Sequence, residues 1–166
     1  MAFVTEALCR TVEYEIGMFE FLNSKLSELH NTKVGTGSDQ EEDVYLESFL
    51  LHARILRDFF FGQPPRGPRT RVCRVCKHTE TLPVIIKDDI LACDFVSGWN
   101  EPESPYLKTL REPLNKMLAH LTEARERYKL QSYQWDHVAI YQSLKPVIEK
   151  FLAKLTGQNK IWFGIT

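Results

Sequence analysis

Apolar residues recur every three or four positions over long stretches of this chain, and this spacing is typical of amphipathic helices. The first such stretch spans residues 5–30, and Thr5 stands where a helix N-cap is expected. The second begins at Ser38 or Asp39 and ends at Gly62, which "QPP" follows. The first half of the chain therefore predicts two long helices.

Two further long helices are predicted in the second half of the chain. The third begins after Ser104, because a serine followed by a proline is a favourable helix start. Pro113 falls inside its pattern and predicts a kink or a new start near Glu112. The fourth spans residues 136–156 and closes at Gly157. The apolar tail "NKIWFGIT" is then expected to pack back onto the helices or to pair with another chain.

Residues 63–87 interrupt the helical pattern with prolines and a basic run, and "TLPVIIK" at their end is expected to form a short extended piece. A short helix over "DDILACDFV" follows, with Asp88 as its cap. We therefore predict one all-α domain over residues 1–166. It is a bundle of four long helices and one short helix, with a Cys/Arg-rich loop at 63–87.

The composition agrees with a globular helical domain. Hydrophobic residues make up 43% and charged residues 26% of the 166 positions. The formal net charge is -1, so binding to nucleic acid would need a local basic patch. No apolar run approaches the roughly 20 residues of a membrane span, and the N-terminal stretch has acidic residues early. We therefore expect a cytoplasmic protein without a membrane partner.

His120 lies at the edge of the apolar face of the third helix, with Lys116 four residues before it and Glu123 three after it. A histidine titrates near neutral pH, so it can accept and return a proton there. His52 occupies a similar flank of the second helix, and the two imidazoles would approach one groove if these helices pack together. The alternative interpretation is that both histidines are packed, hydrogen-bonded boundary residues.

The helix order and the segment "LNKMLAH" resemble the HEPN superfamily of small helical domains. Many of its members are metal-independent ribonucleases of toxin–antitoxin, abortive-infection and other defence systems, and their active site forms across a dimer. The family motif is an arginine, usually a polar residue after it, and then a histidine. His120 and Asn115 match the last two positions, whereas Leu114 stands where the arginine would be.

The resemblance implies a homodimer that acts on RNA, with His120 as the general base and no cofactor required. Cleavage of RNA through its 2′-hydroxyl needs a base near that hydroxyl and a cation near the phosphate charge that develops. The candidate cations are Lys116, Arg125 and Arg111. Leu51 and Ile55, on the side of the second helix away from its core face, would form part of the dimer interface.

The alternative function is a catalytically silent helical interaction module that dimerises or binds a protein partner. Its histidines would be structural. The missing arginine of the motif favours this module, whereas a basic run in the loop at 63–87 favours contact with RNA. That run has no acidic residue among its basic ones, which are Arg66, Arg69, Arg71, Arg74 and Lys77. A solvated loop is the other interpretation of the same run.

The loop also carries a candidate metal site. Cys73 and Cys76 form a C-x-x-C pair, His78 follows two residues later, and Cys93 lies further along the chain. Thiolates and imidazoles at such spacing can hold zinc tetrahedrally. The cysteines are expected to be reduced thiols rather than a disulfide scaffold. Zinc is therefore a candidate structural metal, and a small zinc-stabilised helical protein is a third interpretation.

Overall fold

A computed structural model of the chain describes residues 4–32, 39–62, 70–72, 79–81, 90–119 and 135–165. The helices are α1 Glu6–Thr32, α2 Asp39–Phe61, α3 Ala92–Phe95, α4 Pro105–Ala119, α5 His137–Lys154 and α6 Gly157–Trp162. Two short strands, β1 Thr70–Val72 and β2 Thr79–Thr81, lie between α2 and α3. The described part of the chain is mainly helical, as the periodicity predicts.

The side chains before three of the long helices explain where these helices begin. A backbone amide of the first turn donates a hydrogen bond to Thr5 Oγ1 at 3.4 Å in α1 and to Ser104 Oγ at 3.2 Å in α4. Another donates to Asp136 Oδ1 at 2.8 Å in α5. These oxygens satisfy amides that a helix start leaves without an intrahelical partner. The predicted caps Thr5 and Ser104 are confirmed.

Three predicted boundaries are corrected. α3 has four residues and its N-cap is Leu91, whereas Asp88, the predicted cap, lies outside the described residues. α4 continues through Pro113 with no new start near Glu112, because Pro113 is buried and its packing offsets the hydrogen bond that proline cannot donate. Gly157 does not close the fourth long helix. It has a φ of 56°, a conformation that glycine adopts without strain, and it begins α6.

The strands form an antiparallel hairpin inside the region predicted as a loop. The register pairs Thr70 with Thr81, Arg71 with Glu80 and Val72 with Thr79. The extended piece predicted over "TLPVIIK" overlaps this hairpin only at Thr81, and its other residues lie outside the described ranges. The hairpin was missed because strands of three residues are too short to show a period of two.

α2 is the central helix and packs against α1, α4 and α5. The ring of Phe19 on α1 stacks on that of Phe49 on α2, with 4.8 Å between centroids. Within the described ranges the predicted apolar faces point into the core, and their fully buried large side chains include Phe19, Phe49, Leu50, Leu56, Leu107, Leu114, Leu144 and Ile148. None of the helices in the described ranges is long and apolar enough to cross a membrane.

An aromatic cluster closes the end of the bundle where α5 meets the C-terminal tail. The ring of Phe151 on α5 lies at its centre, surrounded by the rings of Phe59, Phe60, Phe95, Trp99 and Phe163. Phe163 belongs to the apolar tail, and Asn159 Nδ2 donates a hydrogen bond to the carbonyl of Phe95 at 3.1 Å. The tail therefore packs back onto its own chain, which is the first of the two predicted arrangements.

The first residue of α5, His137, is half-buried against the end of α1. Its ring meets that of Phe49 edge-on at 6.1 Å between centroids. Its Nε2 is buried and has no hydrogen-bond partner among the described residues. Burial lowers the pKa of His137; the negative charge of Asp136 opposes this effect and the charge of His30 adds to it. The folded chain therefore favours the neutral imidazole.

Acid is expected to destabilise the chain through His137. The unfolded chain has the ordinary histidine pKa of 6.5, so it binds a proton more readily than the folded chain does. The free energy of unfolding should therefore fall as the pH drops from about 6.5 towards the lower pKa of the folded state. Urea unfolding between roughly pH 8 and pH 5 should show a steeper loss for the wild type than for His137→Gln. Parallel pH profiles for the two proteins would contradict this expectation.

Candidate functional site

A cleft of about 650 Å³ opens where α1, α2 and α4 meet, and the segment before α3 forms one of its sides. We call it the central cleft. Its apolar wall includes Leu8, Val12, Ile55, Phe59, Ile90 and Leu91. Its polar groups belong to Thr11, Glu15, Arg54, Asp58, Arg111 and Asn115. A volume of this size with a mixed lining is typical of sites for small organic molecules or parts of larger ones.

A second depression, of about 520 Å³, lies along α4 and shares Arg111 and Asn115 with the central cleft. Its other lining residues are Lys108, Thr109, Glu112 and Lys116, and we call it the α4 depression. Arg111 and Asn115 are four residues apart, so they stand one above the other on the helix surface. They therefore form a common rim between the two sites.

The basic residues of the α4 depression have no carboxylate partner in the part of the chain that the structure describes. Lys108, Arg111 and Lys116 form no ion pair with any described residue. On the other helices in the described ranges, a carboxylate lies within 4.0 Å of every lysine and arginine except Lys160. These paired residues are Arg10, Lys25, Arg54, Arg57, Lys145, Lys150 and Lys154. Glu112 is the sole acidic residue in the lining, so the depression is locally positive.

The carboxylates of the central cleft are held by basic partners. Glu15 Oε2 lies 2.6 Å from His52 Nδ1, and both side chains are largely buried. His52 is thus a buried group paired with α1, which agrees with the alternative interpretation of a packed, hydrogen-bonded histidine, and Glu15 rather than His52 lines the cleft. Asp58 Oδ2 lies 3.9 Å from Arg54 Nε, and both residues line the cleft.

Two of the predicted catalytic residues lie in the described part of the chain, and two lie outside it. Asn115 lies on the common rim and Lys116 in the α4 depression, and both side chains are half-buried. Arg111, which the sequence indicates as a candidate cation, lies beside Asn115 on the same rim. His120 and Arg125 fall outside the described residues. The structure therefore brings together Arg111, Asn115 and Lys116.

The residues predicted for the basic loop and the zinc site lie mostly outside the described ranges. Arg71 is on β1, where its backbone is paired with that of Glu80, and Cys93 is exposed on α3. The others are Arg66, Arg69, Arg74, Lys77, Cys73, Cys76 and His78. Within the described residues, no group of three His, Cys, Asp or Glu side chains is arranged to hold a metal ion. The zinc site stays a prediction.

One buried arginine was not predicted from the sequence. Arg57 is 5% exposed, and its Nε lies 2.5 Å from Glu103 Oε1. Its Nη1 donates a hydrogen bond to Asp58 Oδ1 at 2.9 Å. The signal was present in the helical spacing, because Arg57 stands four residues after Ala53 and falls on the apolar stripe of α2. A charged residue on such a stripe predicts a buried partner.

Comparisons of the chain with models of protein families, with curated proteins and with solved structures find no match. The function of the chain must therefore be inferred from its fold and from the residues on its surface. It is a mainly helical protein in which α4 borders a mixed cleft and a basic depression.

Proposed function

We propose that the chain binds RNA through the α4 depression. One observation carries this proposal: among the described residues, basic side chains without a carboxylate partner are concentrated on Lys108, Arg111 and Lys116. A phosphate group that approaches α4 meets positive charge that no carboxylate of the described ranges neutralises. Such contacts release condensed counterions and give RNA affinity that is independent of sequence and sensitive to salt.

The resemblance to the HEPN superfamily extends this proposal to metal-independent cleavage of RNA in a bacterial defence or toxin–antitoxin system. His120, the residue after the last residue of α4, is proposed as the general base. Lys116 supports the proposal, because its ammonium lies in the α4 depression and stands four residues before His120, whereas the family's arginine position holds Leu114. A cation at this position can stabilise the phosphate charge that develops during cleavage.

Removing the basic groups of the α4 depression should weaken RNA binding and its dependence on salt. The test variant carries Lys108→Ala, Arg111→Ala and Lys116→Ala. If each side chain contacts one phosphate, the slope of log affinity against log salt should fall in magnitude by about 2 for single-stranded RNA. Fluorescence anisotropy of a labelled RNA over a range of salt concentrations measures both the affinity and the slope.

The matched control removes the same amount of charge from paired positions. It carries Arg10→Ala, Lys25→Ala and Lys145→Ala, whose side chains each have a carboxylate neighbour on their own helix. Its affinity and slope should stay close to those of the wild type. An equal loss in the two variants would show a general charge effect, and no loss in the α4 variant would refute the proposed surface.

A second measurement on the same proteins tests cleavage, by recording over time how much of the labelled RNA stays intact. His120→Ala should abolish cleavage while keeping the affinity for RNA, because a general base acts on the reacting hydroxyl rather than on binding. His30→Ala, on the last turns of α1, is the control and should cut as the wild type does. A wild type that binds RNA without cutting it would leave the binding proposal in place and refute cleavage.

A dimerising interaction module is the second candidate function, and the outer face of α2 favours it. Val44 and Leu51 are exposed there, and Ile55, one turn after Leu51, is exposed where this face meets the central cleft. An apolar face of this kind is typical of contact with another protein, and we propose a second copy of the chain as its partner. The tail no longer supports this interface, because Phe163 packs into its own chain. Light scattering of the wild type and Leu51→Glu decides whether this face forms a dimer.

Zinc is proposed as a structural metal of the hairpin region, with Cys73, Cys76, His78 and Cys93 as ligands. The pairing of Val72 with Thr79 supports it, since this pairing brings together the two ends of the segment that carries the first three ligands. A structural zinc ion would join this segment to α3 through Cys93, which is exposed and therefore accessible. The zinc content of the purified protein tests this proposal directly.

A further inference from the structure

We infer that the central cleft accepts one unstacked base of a nucleotide whose phosphate lies in the α4 depression. The inference rests on the proposed binding of RNA and specifies how one nucleotide is held. It predicts that the chain recognises single strands rather than duplexes. The occupant could be a nucleotide within RNA or a free nucleoside monophosphate, because both present the same base, ribose and phosphate.

The common rim supplies the geometry. Arg111 and Asn115 line both the cleft and the depression, and the four residues between their positions correspond to a rise of about 6 Å along α4. One ribose links base and phosphate over a comparable distance. A ribose placed over this rim would put its phosphate beside Arg111 and the edge of its base beside the Asn115 amide. That amide can both donate and accept hydrogen bonds.

The charges of the two sites set the orientation of the nucleotide. The lining of the central cleft carries the carboxylates of Glu15 and Asp58 beside the guanidinium groups of Arg54 and Arg111, so opposite charges balance there and a phosphate gains little by entering. The α4 depression contains Lys108 and Lys116, which form no ion pair within the described ranges and attract a phosphate. A nucleotide therefore lies with its phosphate in the depression and its uncharged base in the cleft.

The lining of the central cleft suits a base. Ile55, Leu8 and Leu91 present apolar surface to the faces of an aromatic ring, and Phe59 adds an aromatic side chain. The carboxylate of Glu15 can accept a hydrogen bond from the edge of the base, and its contact with His52 fixes its position. Bases inside an RNA duplex are stacked and paired, so they cannot enter.

The test fills the cleft without touching the cations. Ile55 is 39% exposed at the cleft wall, so Ile55→Trp can place its indole in the cleft without displacing buried side chains. The matched control is Val138→Trp on α5, which is 43% exposed and does not line the cleft. The probes are a single-stranded RNA of about eight nucleotides, the same strand with abasic positions, its duplex, and adenosine monophosphate.

Ile55→Trp should lower the affinity for the single strand about tenfold, which is the typical effect of losing one stacked base. Its salt slope should stay that of the wild type, because the phosphate contacts remain. Lys116→Ala should instead reduce the slope. Val138→Trp should bind as the wild type does, and the abasic strand should bind the wild type about tenfold more weakly than the intact strand.

The outcomes separate this inference from the proposed function. If RNA binding depends on the α4 cations but neither Ile55→Trp nor abasic positions change the affinity, the base site is refuted and RNA binding stands. If only adenosine monophosphate binds, and Ile55→Trp weakens it, RNA binding is refuted and the site holds free nucleotides. Binding of neither ligand overturns both. If Ile55→Trp does not fold, the base site is tested by comparing the affinities of the wild type for the intact strand and the abasic strand.

Discussion

Phe151→Ala is expected to lower the free energy of unfolding by roughly 3–5 kcal/mol. Phe151 is fully buried at the centre of the aromatic cluster. Five rings surround it at centroid distances from 5.3 Å to 6.0 Å, all close to edge-on. Alanine would leave a cavity between rings that are held by their own backbones and cannot all move inwards. It would also remove aromatic contacts worth about 0.5–1.5 kcal/mol per pair beyond the buried area.

Phe21→Ala is the matched control, since it makes the same chemical change at a position that is 49% exposed on α1. Its cost should stay below about 1 kcal/mol, as is usual for surface substitutions. Urea unfolding followed by tryptophan fluorescence compares the two, because Trp99 lies in the aromatic cluster itself. A loss of less than about 1 kcal/mol for Phe151→Ala would show that the cluster collapses and fills the space.

The long helices were predictable because their signals are local. A period near 3.6 identifies each apolar face. Thr5 and Ser104 mark the starts of α1 and α4, because their side-chain oxygens accept hydrogen bonds from backbone amides of the first turn. α6 was not predictable in this way. In the sequence, Gly157 follows the apolar pattern of the fourth long helix and indicates the end of that helix. In the structure, the positive φ of Gly157 lets the chain turn and start the short helix α6. The packing of Phe163 decides this choice, and it involves residues distant in sequence.

The candidate site was predictable only where it lies on one helix. Asn115 and Lys116 were identified from the sequence, and the shared rim of Arg111 and Asn115 follows from a spacing of four residues. The central cleft itself depends on how α1, α2 and α4 pack together, which the pattern of a single helix does not contain. The pair between Glu15 and His52, for example, joins two helices that are 37 residues apart at this contact.

The buried pair of Arg57 and Glu103 provides the second large expected effect. Glu103→Leu should cost roughly 3–5 kcal/mol of unfolding free energy, since it leaves the Arg57 guanidinium buried with the partly exposed Asp58 as its remaining partner. The double variant Arg57→Met with Glu103→Leu removes both charges and keeps much of the buried volume. Most of the lost stability should therefore return in the double variant.

A double-mutant cycle measures how strongly the two residues are coupled. Arg57→Met, Glu103→Leu and the combined variant are unfolded in urea beside the wild type, and the coupling is the difference between the double loss and the summed single losses. A coupling of at least about 1 kcal/mol is expected, because the Nε–Oε1 distance is 2.5 Å and the Arg57 side chain is 5% exposed. Glu101→Leu is the control. Glu101 pairs with the exposed Lys150 and Lys154, so this variant should lose little unfolding free energy. If the losses of unfolding free energy for Arg57→Met and Glu103→Leu are additive, solvent reaches the pair and the two charges are not coupled. Arg57 would then stabilise α2 only through the packing of its aliphatic stem.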